Sequence, residues 1–227
     1  MFSKLPLILL ATLTLSTLST NATPLKRAAC TKYTIIDTRG TGEPQGPSAG
    51  FRTMNSNIRS QVSGGDEYDT VYPAGANQDS SQGTRNIISK VQSLVDADAS
   101  HCVVLEGYSQ GAAATVNALP QITGKYFDAV KAVFLIGDPL HKPNLACNVD
   151  PNGGSTTKSA TGISYYGQGG IPSNWVAKSL DVCVTGDGVC SKETGNGITI
   201  QHLSYPNSQP TQNLGTKFVV GKLQGTS

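Results

Sequence analysis

Apolar positions along this chain follow two rhythms. Short runs rich in β-branched and aromatic residues occupy 33–37, 68–72, 102–108, 130–137 and 179–184, each bounded by Gly, Pro or Asp, and these predict strands. Between them, 51–62, 83–97, 109–121 and 214–223 carry helical patterns. The clearest is 83–97, where Ile87, Ile88, Val91, Leu94 and Val95 recur on one helical face. Strand and helix in alternation predict an α/β fold: a central, mostly parallel five-stranded sheet with helices on both faces. Chemistry in such a sheet gathers beyond the carboxyl ends of the strands. Residues 38–43, Ser109, Asp138 and Asp187 are expected there.

The beginning of the chain follows neither rhythm. Lys4 precedes an apolar, hydroxyl-rich run ending near Leu18, and small residues continue to Ala22. That pattern predicts a signal peptide over 1–22, too short to span a bilayer. Lys26-Arg27 then reads as a dibasic processing site closing a pro-segment over 23–27. Residues 28–227 are left as one domain, secreted and extracellular. The whole chain has 17 basic and 15 acidic residues, but its first 27 hold three basic residues and no acid, so the processed form is near −1. No basic face for nucleic acid is indicated. No later segment reads as a membrane span, and no coiled-coil pattern suggests assembly beyond a monomer.

The strongest chemical signal is 102–115, Cys-Val-Val-Leu-Glu-Gly-Tyr-Ser-Gln-Gly-Ala-Ala-Ala-Thr. A β-branched run passes through Gly107-Tyr-Ser109-Gln-Gly111 into an alanine-rich helix former, the strand–turn–helix context of a G-x-S-x-G nucleophile elbow. A Cβ two residues before or after such a serine would strike the adjoining strand or helix. A serine hydroxyl is a weak nucleophile without a positioned base. Of the three histidines, His101 is expected at the far end of the sheet. His202 is favoured over His141, because it follows Ser109 with plausible acids between, in the order Ser, acid, His. Among those acids Asp181 falls within a strand and Asp138 ends one in Gly-Asp-Pro. Asp187 is favoured because Cys183 and Cys190 flank it as a natural local pair that would tie its loop. The oxyanion donors are expected to be the backbone N–H of Gln110 and, from the Gly40-Thr41-Gly42 loop after the first strand, Thr41.

Five cysteines in a secreted chain imply disulfides with one left over. Cys183 with Cys190 is the natural local pair. Cys30 and Cys102 begin strands on one edge of a parallel sheet and form the natural second pair, leaving Cys147 as a buried free thiol. No Cys or His spacing suits a metal, so no metal and no cofactor are expected.

Together, Gly-Tyr-Ser-Gln-Gly, Arg-Gly-Thr-Gly-Glu after the first strand, Cys-Val-Thr-Gly-Asp-Gly-Val-Cys and the late His-Leu-Ser-Tyr resemble the cutinase family, closest to fungal cutinase-like enzymes that hydrolyse aliphatic polyesters. The resemblance runs from Cys30 to Leu223 with the motifs in family order. It implies a small lidless α/β-hydrolase with Ser109, Asp187 and His202 as triad and Thr41 and Gln110 as oxyanion hole. It also implies both disulfides, no metal or cofactor, and an insoluble ester substrate. An apolar rim for that substrate is expected from Ile171, Trp175, Val176, Leu203 and Tyr205, although Trp175 and Val176 could instead be core of a short helix. Two features depart from the family. Glu106 stands where many cutinases have a small residue, and residues 191–197 replace a short glycine-containing turn. The rival functions are an acetylxylan or other polysaccharide esterase, a serine peptidase, and an adhesion protein on an inactive hydrolase fold.

Overall fold

A computed structural model describes residues 1–2 and 29–226. Apart from Met1 and Phe2, the expected signal peptide and pro-segment lie outside the described residues. Six strands form one sheet: β1 (Tyr33–Thr38), β2 (Gly65–Asp69), β3 (Cys102–Tyr108), β4 (Val130–Ile136), β5 (Asn148–Val149) and β6 (Ser179–Val182). Their order is β2-β1-β3-β4-β6-β5, and every ladder is parallel. The helices are α1 (Arg52–Gln61), α2 (Ser81–Ala97), α3 (Gln110–Ala118), α4 (Lys125–Ala129) and α5 (Gln209–Gln224).

Side-chain alternation along the inner strands divides the core in two. Ile36, Val103, Leu105, Val133 and Leu135 meet Ile87, Val91 and Val95 of α2 and the alanines of α3. Tyr33, Ile35, Val104, Phe134 and Ile136 meet Met54 and Ile58 of α1 and Val219 and Leu223 of α5. Both faces of the sheet are therefore covered. This explains why β1 and β3 are buried at every residue and carry apolar side chains on both faces rather than on alternate positions only.

The differences from expectation have local causes. The sixth strand, β5, is two residues long and too short to leave a periodic signal. The second strand is Gly65–Asp69 rather than 68–72. It lies at the sheet edge, half-exposed, and carries Asp66, Glu67 and Asp69, so apolar content places it too late. Helix α5 begins at Gln209 rather than 214, with Pro210 in its first turn and Ser208 accepting from the Thr211 N–H. Disulfide Cys30–Cys102 joins the approach to β1 to the start of β3, and Cys183–Cys190 closes the loop after β6. Cys147, just before β5, is buried and unpaired, its thiol pushed up to about 12 by burial and by the charge of Asp181.

Candidate active site

Four strand ends build the site. At the end of β3 the chain turns into α3 through Ser109, at φ 55° and ψ −119°, a strained conformation for any side chain. The flanking glycines make this turn possible. A Cβ on Gly111 would stand 2.0 Å from the Thr38 carbonyl oxygen of β1, and one on Gly107 would stand 2.6 Å from Cα of Ala112.

His202 lies in a 3-10 turn, His202–Asn207, between β6 and α5. Its Nε2 is 2.9 Å from Ser109 Oγ, and its Nδ1 is 3.0 Å from each oxygen of Asp187. Asp187 and His202 are buried, and Ser109 is nearly so. The acid is tightly oriented: the Val189 N–H donates to Oδ1 at 2.8 Å and the Tyr205 hydroxyl donates to Oδ2 at 2.7 Å. Tyr205 Oη in turn accepts from the Val184 N–H at 3.1 Å. Burial and the Asp187 charge push the Tyr205 phenol well above its ordinary pKa, so it stays a donor. The Tyr108 hydroxyl donates to the His202 carbonyl at 2.7 Å. Gly137, at φ 58°, leaves room for the imidazole, since a Cβ there would stand 2.7 Å from His202 Cε1.

On the other side of Ser109, Gln110 opens α3, so its N–H has no intrahelical acceptor and lies at the positive end of the helix dipole. Its side chain is drawn aside, donating to the Gly75 carbonyl at 2.9 Å. The loop bearing Thr41 is clamped by Glu43, which accepts from the Gly40 N–H, the Ala49 N–H and the Ser48 hydroxyl at 2.6, 2.7 and 2.8 Å. Thr41 Oγ1 lies 3.1 Å from Gln78 Nε2 and 3.2 Å from Gln78 Oε1. Among the described residues, three of the four non-glycine positions with positive φ are Ala74, Gln78 and Ser109, so backbone strain concentrates at this site.

Two clefts meet at Ser109. The larger, about 440 Å³, runs past Gln110 between Thr41 and Gln78 on one side and Leu140, Ile163 and Val189 on the other. The smaller, about 210 Å³, lies on the His202 side between Gly40, Tyr108, Leu203 and Pro206. Thr41, Ser109 and Ile198 border both.

The structure thus brings Ser109, His202, Asp187, Thr41 and Gln110 together. It does not bring His141, Asp138 or Asp181 to the serine; these form a separate buried cluster. The expected rim needs correction. Ile171 and Trp175 are buried in the core and Tyr205 beneath Asp187, so these three cannot meet a surface; Val176 is half-buried against the core, and Leu203 alone is well exposed. Exposed apolar side chains instead come from Tyr166, Ile198 and Ile200. Sequence reading missed Tyr205 and Tyr108 as anchors of the acid and the base. For Tyr205 a signal existed: at three residues after His202 it shares one side of a 3-10 turn.

A single parallel sheet with this hydroxyl–imidazole–carboxylate chain at its carboxyl edge defines an α/β-hydrolase, and comparison with known proteins makes it a carboxylic ester hydrolase. The family model described as Cutinase matches residues 29–223. The chain belongs to the cutinase family. It is similar to a cutinase-like protein from a Cryptococcus species, at 55% identity and a TM-score of 0.85, over 89% of this chain and 100% of that one. It is also 26% identical to the carboxylesterase Culp1 of Mycobacterium tuberculosis, over 86% of this chain and 82% of that protein. The catalytic core of an acetyl xylan esterase from Trichoderma reesei shares the fold, at 24% identity and a TM-score of 0.71, over 86% of this chain and all of that one.

Proposed function

We propose that this chain is a secreted serine esterase that cleaves aliphatic, cutin-like polyesters and short-to-medium acyl esters through an acyl-enzyme. The observation that carries the reading is the unbroken Ser109–His202–Asp187 chain opening onto two clefts. Ser109 Oγ attacks the ester carbonyl while His202 Nε2 takes its proton and then delivers it to the departing alkoxide. Asp187 holds the Nδ1–H tautomer and stabilises the imidazolium. The Gln110 N–H and Thr41 receive the charge that develops on the carbonyl oxygen, each such donor lowering the barrier by about 2.7–4 kcal/mol. Thr41 Oγ1 accepts from Gln78 Nε2 at 3.1 Å and donates to Gln78 Oε1 at 3.2 Å, so its proton turns from the glutamine to the developing oxyanion during the reaction. Water then follows the alcohol's route, activated by His202, and releases the acid.

The alcohol must leave beside His202, which supports the smaller cleft for the alcohol half and the larger for the acyl half. A chain running through both would be cut internally. Tyr166, Ile198 and Leu203 line the clefts, Ile200 is exposed between the last two in sequence, and these apolar side chains are suited to an insoluble apolar surface.

The test is acid release from an emulsified aliphatic polyester in a pH-stat, with acetylated xylan in parallel, for the parent enzyme and Ser109→Ala. Release from polyester that disappears in the variant is expected. Acetate from xylan with polyester untouched would select a polysaccharide esterase instead.

A further inference from the structure

Away from the catalytic serine, the α1/α5 face of the sheet carries a row of acids across three adjacent strands. In register, Asp69 of β2 pairs with Asp37 of β1, and Asp37 pairs with Glu106 of β3; Glu67 sits two residues before Asp69 on the same face. Carboxylate oxygens of Asp37, Glu67 and Asp69 lie within 4.8 Å of one another. Arg59 offers Glu67 only a 3.6 Å contact.

The surrounding oxygens make this more than a group of acids. Glu106 is fully buried, and neither of its oxygens has a hydrogen-bond partner among the described residues. The same is true of one buried oxygen each on Asp37, Asp69 and Asn55. Asn55 is itself fixed against the cluster, its Nδ2 donating to Glu67 Oε1 at 3.1 Å. The Asn55 amide is the one hydrogen-bond donor beside Glu67 and Glu106. This leaves an oxygen each of Asp37 and Asp69 unmet within the cluster and buried Glu106 next to Asp37 in register, and buried unpartnered carboxylates are costly. The deficit is met either by shared protons or by a cation.

We infer that Asp37, Glu67 and Asp69, with Glu106 and the Asn55 side-chain oxygen behind them, form a structural binding site for a divalent cation, calcium by preference. The donor set is all hard oxygen, and calcium at 2.3–2.6 Å from each ligand bridges oxygens up to about 5 Å apart, a wider span than magnesium allows. Glu67 and Asp69 are half-buried at the sheet edge and give the ion a way in. The sequence expectation of no metal rested on Cys and His spacing, which is blind to carboxylates gathered from three strands. The other Asp37 oxygen accepts from the Ser48 N–H at 2.8 Å, and the Ser48 hydroxyl donates to Glu43, the clamp of the Thr41 loop. An ion here would therefore also steady that loop.

The experiment is calorimetric titration of EDTA-stripped enzyme with CaCl2, alongside thermal melting in CaCl2, MgCl2 or NaCl at matched ionic strength. One calcium per chain is expected, raising Tm by roughly 3–5 °C at tenfold excess over Kd. Asp69→Asn and Glu106→Gln should each weaken calcium binding at least tenfold, with ester hydrolysis in Asp69→Asn retained. Parent enzyme that takes up no calcium and melts indifferently to it would overturn the inference. A Glu106→Gln variant that melts higher than such a parent would then assign the cluster to shared protons.

Discussion

This protein holds two buried histidine–aspartate pairs, and only one of them touches a serine. His202 meets Asp187 at 3.0 Å and Ser109 at 2.9 Å, while His141 meets Asp181 at 2.6 Å and has no hydroxyl partner among the described residues. The acids differ as much as the bases. Asp187 accepts from Val189 and Tyr205 as well as from its histidine. Asp181 has no aligned hydrogen bond at either carboxylate oxygen. It stands near Asp138, whose carboxyl is pushed well above the carboxylate range by burial and by the Asp181 charge. Burial draws the His141 pKa down, but the charges of Asp181 and Asp138 more than reverse this and leave it raised. An imidazole drawn toward its charged form by buried carboxylates, with no serine hydroxyl bonded to it, is not placed to take a serine's proton. Pairing an imidazole with a carboxylate in the interior thus does not make a base. The carboxylate must have donors of its own, and the imidazole's far nitrogen must have a substrate-facing partner.

Removing each histidine is the sharpest way to break this comparison. His202→Ala should lower kcat for a soluble ester by about 10⁵–10⁶-fold with the melting curve little changed, as expected for a triad acting as a unit. His141→Ala should leave kcat within about tenfold yet cost about 3–5 kcal/mol of stability, because it strands a buried carboxylate. A His141→Ala enzyme as inactive as His202→Ala would erase the distinction.

The pairs should also differ in pH response. His141 has its pKa raised on folding, so its stabilising contribution is complete below about 6.5, the ordinary histidine value, and is lost as pH rises through the raised value. The raised carboxyl of Asp138 adds the same sign. The Tm gap between the parent and His141→Gln should therefore narrow as pH is raised from 6 to 9; a constant gap would mean that His141 is neutral when folded.

A smaller effect tests what holds Asp187. Cys183→Ala with Cys190→Ala should cost about 2.5 kcal/mol of stability, the loop-closure value for so short a ring. Tyr205→Phe, which removes a donor from Asp187, should lower kcat about tenfold. Smallest of all, Ile200→Ser with Leu203→Ser should slow polyester hydrolysis a few-fold and leave a soluble short ester within about twofold. Equal slowing of both would exclude a surface-binding rim.

The elbow was legible because its chemistry is local: strand, glycine, serine, glycine and helix are consecutive, and steric exclusion at Gly107 and Gly111 acts within one turn. The disulfide partners were legible because parallel strands start on one edge. The rim was misread because apolar residues near a site in sequence, such as Trp175 and Tyr205, are equally fit for core, and only packing decides between the two.

From the sequence alone came the alternation that dictates a covered parallel sheet, the strained serine turn, and a short choice of bases and acids. Tertiary structure decided which histidine faces the serine, that Tyr205 and Tyr108 anchor the acid and the base, and that carboxylates of β1 and β2 converge at the sheet edge. The reason is physical: steric and periodic constraints act over a few neighbouring residues and are written in their order. Distances between side chains from separate strands depend instead on register and crossover paths, which no single segment encodes.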